Sequence, residues 1–152
     1  HVRYIVTVED FYKSKAVKER IALPYAPVYF WDMDEELRES GLLIASDHLT
    51  ITDYDSFEDS CEKKLCLGVE KEGRIKGLLL VQNDSAGDLL LSYLFTKSQK
   101  ALMAMLKAEA REIRRHYKKR ILYFDAVTEE SERLARKVFP KAQEISIYEA
   151  EF

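Results

Sequence analysis

Lys97 and Lys100 flank Ser98 and Gln99 where an extended apolar run gives way to a long helical one, and that spacing suits an anion. A helix start carries unpaired N–H groups and the positive end of the macrodipole. The amides of Gln99, Lys100 and Ala101, assisted by the two ammonium groups, could therefore hold a phosphate. The competing reading leaves both lysines solvated beside a turn, with Ser98 or Gln99 capping the helix. Just upstream, Tyr93 could point into a cleft as a proton donor, since a phenol with an ordinary pKa of about 10 is protonated at neutral pH. Its alternative is packing with a satisfied hydroxyl.

Three other clusters invite chemistry. The long helix carries Lys107, Arg111, Arg114, Arg115, His116, Lys118, Lys119 and Arg120. A basic cluster raises nucleic acid, but the net charge of -3 opposes it, and cations near a helix C-terminus are favourable in themselves. Residues 32–59 are strongly acidic, as in Asp32, Asp34, Glu35, Glu36, Asp47 and Asp53, and would favour a cationic partner unless they are helix-start charges. Tyr25, Tyr29, Phe30 and Trp31 form an aromatic group suited to a core or to a pocket. Cys61 and Cys66 are the two cysteines. Their C-x4-C spacing lacks the second pair or nearby histidine that a metal site needs, and lone thiols fit a reducing cytoplasm.

The elements that must position these groups follow from periodicity. The chain has 152 residues, 47% hydrophobic and 34% charged, which is enough for one domain with a real core. No apolar run approaches the roughly 20 residues that span a bilayer, and no signal peptide is visible. The chain opens on His1, which leaves a processed start, a trimmed chain or a tag remnant open. Strand-like runs at residues 65–70 and 75–81 are separated by Lys71-Glu72-Gly73-Arg74, a hairpin turn. A third strand at residues 88–95 precedes the long helix, whose apolar stripe is Leu102, Leu106, Ala110, Ile113 and Tyr117. A strand at residues 121–127, a shorter helix and a last strand near residues 144–152 complete a β-β-β-α-β-α-β order.

In the first half the patterns predict a strand at residues 2–8 and a helix from Glu9 to about Ile21. An extended, edge-like segment follows over residues 23–31, then a helix over residues 32–41 closed by Gly41, a strand at residues 48–54, and a short helix at residues 55–61. The opening strand–helix–proline–strand unit echoes residues 121–152. Two common units resembling each other by chance explains this, as does a preceding, related domain in tandem.

Residues 65–152 resemble the GNAT superfamily of N-acetyltransferases. The resemblance rests on the Val69-Glu-Lys-Glu-Gly-Arg-Ile-Lys-Gly77 hairpin and on the strands and helices that follow it. It implies a mixed, twisted α/β sheet, antiparallel through the first three strands and parallel across the long-helix crossover. It also implies acetyl-CoA as cofactor, with the pantetheine along Leu94, Phe95 and Thr96 and the pyrophosphate at Lys97, Ser98, Gln99, Lys100 and Ala101. In the family residues 1–60 would form the variable acceptor side, and residues 61–152 the acyl-CoA-binding core of a single domain. The family's phosphate loop is rich in glycine, whereas Lys97-Ser-Gln-Lys-Ala-Leu102 has none. A family glutamate would fall near Leu91 or Ser92, and a family tyrosine near Ala135.

Two functions follow from the resemblance. One is transfer of an acetyl group from acetyl-CoA to an amine or basic peptide, with Tyr93 as the candidate acid. The other is a catalytically inactive interaction module. Either fits a cytoplasmic protein without membrane or nucleic-acid contacts, with a tandem domain or homodimer as further partner.

Overall fold

Alternation in Val2–Thr7 makes strand β1, which turns Tyr4 and Val6 into the core. The computed structural model describes residues 2–14, 17, 24–117, 121–126, 129–139 and 142–146. Thr7 then caps helix α1 (Val8–Tyr12), its hydroxyl accepting from the Asp10 amide at 3.1 Å. This helix ends at Lys13; within the rest of the predicted run to Ile21, Val17 is again helical and residues 15, 16 and 18–21 lie outside those described. The two-residue strand β2 (Val28–Tyr29) is an edge, as the flanking prolines predict, and a single 3-10 turn at Phe30–Asp32 follows it.

Helix α2 (Glu35–Ser46) is capped by Asp34, whose carboxylate accepts from the Leu37 amide at 3.0 Å. Gly41 does not end this helix; it lies inside it. A Cβ there would meet the buried Phe30 ring at 2.5 Å, so the glycine is present for close approach rather than termination. Residues 48–53 form no strand, which corrects the second expectation for this region. They lead instead into helix α3 (Tyr54–Ser60), capped by Asp53.

Strands β3 (Leu67–Lys71) and β4 (Arg74–Asn83) meet at a two-residue turn, Glu72-Gly73, with φ of 56° and 76°. Positive φ at both central positions gives the twist that a tight hairpin requires. Strand β5 (Leu89–Thr96) pairs antiparallel with β4 and leads to helix α4 (Gln99–His116). Strand β6 (Ile121–Ala126), helix α5 (Glu129–Val138) and strand β7 (Gln143–Ser146) follow; residues 127 and 147–152 of the predicted strands lie outside those described.

The sheet order is β2-β3-β4-β5-β6-β1-β7, and β5 and β6 are parallel neighbours. Strand β1 runs antiparallel to both β6 and β7 and separates them. The continuous apolar run of β4 is explained by burial on both faces. Leu79 and Val81 join one core with Met105, Leu106 and Ile113 of α4, and Leu78 and Leu80 join the other with Phe30, Trp31 and Leu42. Helix α4 is buried well beyond its predicted stripe, including Met103, Ala104, Glu109 and Glu112, because α1 and the 3-10 turn Lys63–Leu65 also pack against it.

Candidate active site

The parallel ladder between β5 and β6 has three residue pairs: Leu89 with Leu122, Leu90 with Tyr123, and Leu91 with Phe124. Beyond them β5 continues to Thr96 beside β4 while β6 diverges. The register between β4 and β5 slips at this point, since Leu80 faces Tyr93 but the next residue, Val81, faces Leu91. Ser92 is therefore an extra residue in a β-bulge, which bends a strand and re-aims its side chains. Its hydroxyl is anchored to the Gln82 side chain. Leu89, Leu91 and Leu94 consequently face the α4 core, whereas Tyr93 and Phe95 face the α2 core.

The divergence opens a cleft of about 590 Å³, within the usual range for small-ligand sites. Its walls are residues 90–96 of β5, Phe124 and Asp125 of β6, Leu134 of α5, Gln82 of β4, and His48 and Leu49 after α2. The cleft thus reaches the α4 side through Leu94 and the α2 side through Tyr93. Leu94, Phe95 and Thr96 all line it.

The chain turns directly from this cleft into α4. The Thr96 hydroxyl donates to Ser98 O at 2.6 Å and accepts from the Ser98 amide at 3.2 Å. The Ser98 hydroxyl accepts from the Ala101 amide at 3.0 Å, and the Lys97 amide donates to Lys76 O at 3.0 Å. Ala101 is also fully buried. Of the amides at the helix start, those of Gln99 and Lys100 have no hydrogen-bond partner among the described residues. Both residues are exposed, as is Lys97, so two N–H groups and two ammonium groups surround one helix terminus.

Tyr93 is half-buried in the cleft wall and stacks on His48, with 5.5 Å between ring centroids and 26° between planes. Burial, followed by the charge of Asp47, raises the pKa of its phenol, which remains a proton donor at neutral pH. On the opposite wall, Asp125 accepts from Arg3 at 2.7 and 3.0 Å in a bidentate pair. Arg3 lies 4.6 Å over the Tyr123 ring. Burial, assisted by the hydrogen bond to Asp84, pushes the Tyr123 phenol up to about 12.

The aromatic group near the N-terminus serves the core rather than the cleft. Phe30 and Trp31 are buried edge to face at 5.0 Å, and the Tyr29 hydroxyl donates to Glu112 at 2.7 Å. Arg111, Arg114, Arg115 and His116 lie on the exposed side of α4, while Lys118, Lys119 and Arg120 lie outside the described residues. Cys61 and Cys66 are free and buried. Burial, then the neighbouring Cys61, pushes the Cys66 thiol well above its ordinary range. Among the described residues, no three His, Cys, Asp or Glu side chains form a metal-binding group. No described helix is long and apolar enough to cross a membrane.

Sequence reasoning missed His48, Gln82, Phe124, Asp125 and Leu134 as cleft residues. No local pattern marks them, because the face that each leucine of β5 takes is set by the bulge at Ser92.

No protein-family model and no curated protein matches the sequence. Two solved structures do match in fold. One is a conserved protein of unknown function from Enterococcus faecalis V583, a probable N-acyltransferase, with a TM-score of 0.52 and 12% identity over 95% of this chain. The other is a GCN5-related N-acetyltransferase from Kribbella flavida, with a TM-score of 0.50 and 12% identity over 95% of this chain. This chain spans only 36% and 35% of their respective lengths. With its three-pair parallel ladder, bulged β5 and crossover helix, the chain has a GNAT-like fold.

Proposed function

We propose that this protein is a GNAT-like acyltransferase that takes an acetyl group from acetyl-CoA and passes it to an amine. The observation that carries this reading is the β5–β6 cleft, whose β5 wall ends at Thr96, three residues before a helix start where two amides have no partner among the described residues. That arrangement suits a long ligand with an extended arm and an anionic end. The edge of β5 at Leu94, Phe95 and Thr96 would lie beside the pantetheine. The amides of Gln99 and Lys100, with the ammonium groups of Lys97 and Lys100, would hold the pyrophosphate. Ser98 and Ala101 would act by capping, since their amides already have partners within the turn.

Bound acetyl-CoA supplies an activated thioester, so much of the rate can come from holding an amine against it. Tyr93, protonated and in the wall, would donate to the departing sulfur. We also assign the protein to a reducing cytoplasm, which the two free cysteines support. A tandem domain or second copy belongs to the same proposal.

The second reading, an inactive interaction module, is favoured by one specific feature: the turn at residues 96–101 has no glycine and uses two of its amides for its own caps. Thermal unfolding with millimolar acetyl-CoA separates the two. A ligand at 100 times its dissociation constant stabilises by about 2.7 kcal/mol, or a rise of several degrees in Tm for a domain of this size. An unchanged Tm supports the interaction module.

A further inference from the structure

We propose that His48 is the general base that removes the proton of the acceptor's ammonium group, a role that rests on the acyltransferase reading above. His48 follows α2 in a turn tied to a buried helix end. The His48 and Leu49 amides both donate to Ala45 O, at 3.0 and 2.8 Å, and Ala45 is fully buried. The imidazole is thus carried on an ordered turn, and stacking on Tyr93 orients its plane. Both rings line the cleft immediately past the bulge.

In this reading the two reactants come from different sides of β5. Lys97, Gln99 and Lys100 stand at the α4 start, whereas His48, Leu49 and Tyr93 approach from the α2 side. An amine entering on the α2 side would meet the imidazole before reaching a thioester held along β5. An alkylamine is protonated at neutral pH and cannot attack until that proton leaves. Imidazole is the side chain best suited to accept it near pH 7. The charged and titratable groups facing this site are Asp47 on the same turn, Tyr93 on β5, and Asp125 on β6, whose charge is paired with Arg3.

His48 takes one proton from the ammonium group, and the freed lone pair forms the C–N bond to the carbonyl carbon. The C–S bond breaks, its electron pair leaves on sulfur, and Tyr93 protonates the thiolate. The second nitrogen proton restores the phenol, and the imidazolium releases its proton to water. The sum is ammonium plus thioester giving amide, thiol and one proton.

The test compares the parent protein and His48→Gln with two amines of similar size. Ethylamine is protonated at pH 7, and 2,2,2-trifluoroethylamine is not. Thiol release from acetyl-CoA with ethylamine at pH 7 should fall by about 100-fold in the variant, with recovery as pH approaches the amine's own range. With trifluoroethylamine the fall should be under about threefold, since no base is needed. Independently, ethylamine added to the parent should move one imidazole resonance, identified as His48 by its loss in the variant.

A parent that gains Tm with acetyl-CoA, beside a variant that matches it with both amines, overturns the histidine assignment alone. So does an unmoved imidazole resonance, whereas a parent that binds acetyl-CoA yet acetylates neither amine at any pH overturns the transfer to alkylamines and this role with it. A parent whose Tm ignores acetyl-CoA overturns the acyltransferase reading and this role with it.

Discussion

Replacing Glu109 with methionine should stabilise the protein at neutral and alkaline pH. Glu109 lies on α4 and is 2% exposed, and neither carboxyl oxygen has a hydrogen-bond partner among the described residues. Burial, then Cys66 and Glu112, raises its pKa well above the ordinary glutamate range. A buried polar group without a partner costs about 1–3 kcal/mol, and methionine fills a similar volume without it. The expected gain is therefore about 1–3 kcal/mol near pH 4 and larger at pH 8, where the ionisation penalty adds to it, read as a Tm rise of roughly 2–4 °C per kcal/mol.

The sign of the pH dependence follows from the raised folded-state pKa. Below the unfolded glutamate pKa, about 4.3, both states are protonated and the carboxyl imposes no ionisation penalty. As pH rises toward the folded value, only the unfolded chain ionises, and stability falls by on the order of 1.4 kcal/mol per pH unit. Glu109→Gln should abolish this slope while retaining an unpartnered polar group, and Glu109→Met should abolish both effects. Urea unfolding from pH 4 to 9 measures all three proteins. A methionine variant less stable than the parent at pH 8, or a slope shared by all three, refutes the reasoning.

Ser98→Ala removes the cap on the Ala101 amide and should cost about 1 kcal/mol, seen as a lower Tm. Gly41→Ala places a Cβ 2.5 Å from Phe30, which is fully buried; overpacking of about 1–3 kcal/mol should outweigh a helix-propensity gain of about 1 kcal/mol, and adding Phe30→Leu should recover part of the loss. Lys97→Glu with Lys100→Glu should weaken coenzyme A binding at least about tenfold, or 1.4 kcal/mol, with the fold intact in the absence of ligand because both side chains are exposed; calorimetric titration measures it, and equal affinity would reduce these lysines to neighbours of a turn.

Local chemistry made some of the structure legible and long-range contacts hid the rest. Glu72-Gly73 announced its hairpin because that turn needs positive φ at both central residues. Ser98 and Gln99 both offered a cap for α4, and the Ser98 hydroxyl is the one that satisfies an orphan amide. Gly41 misled because its role depends on Phe30, 11 positions away; without that ring, glycine after a helical run reads as a stop. The placement of β1 between β6 and β7 depends on pairings such as Val2 with Ala126 and Val2 with Ser146, which no local pattern contains. The cleft was legible on its β5 wall alone. His48 was assigned to a strand, and its position became evident only from the turn that α2 hands to Tyr93.

Acetyl-CoA bound as proposed would lie along the outer half of β5 and end at the start of α4. Amide NMR of the isotopically labelled protein, titrated with acetyl-CoA, tests it most directly. Saturable shifts are expected for Leu94, Phe95, Thr96, Gln99 and Lys100, with the exposed β3–β4 turn at Glu72 and Gly73 unmoved. No saturable shift in residues 94–100 at millimolar ligand, or shifts confined to another surface, would contradict it.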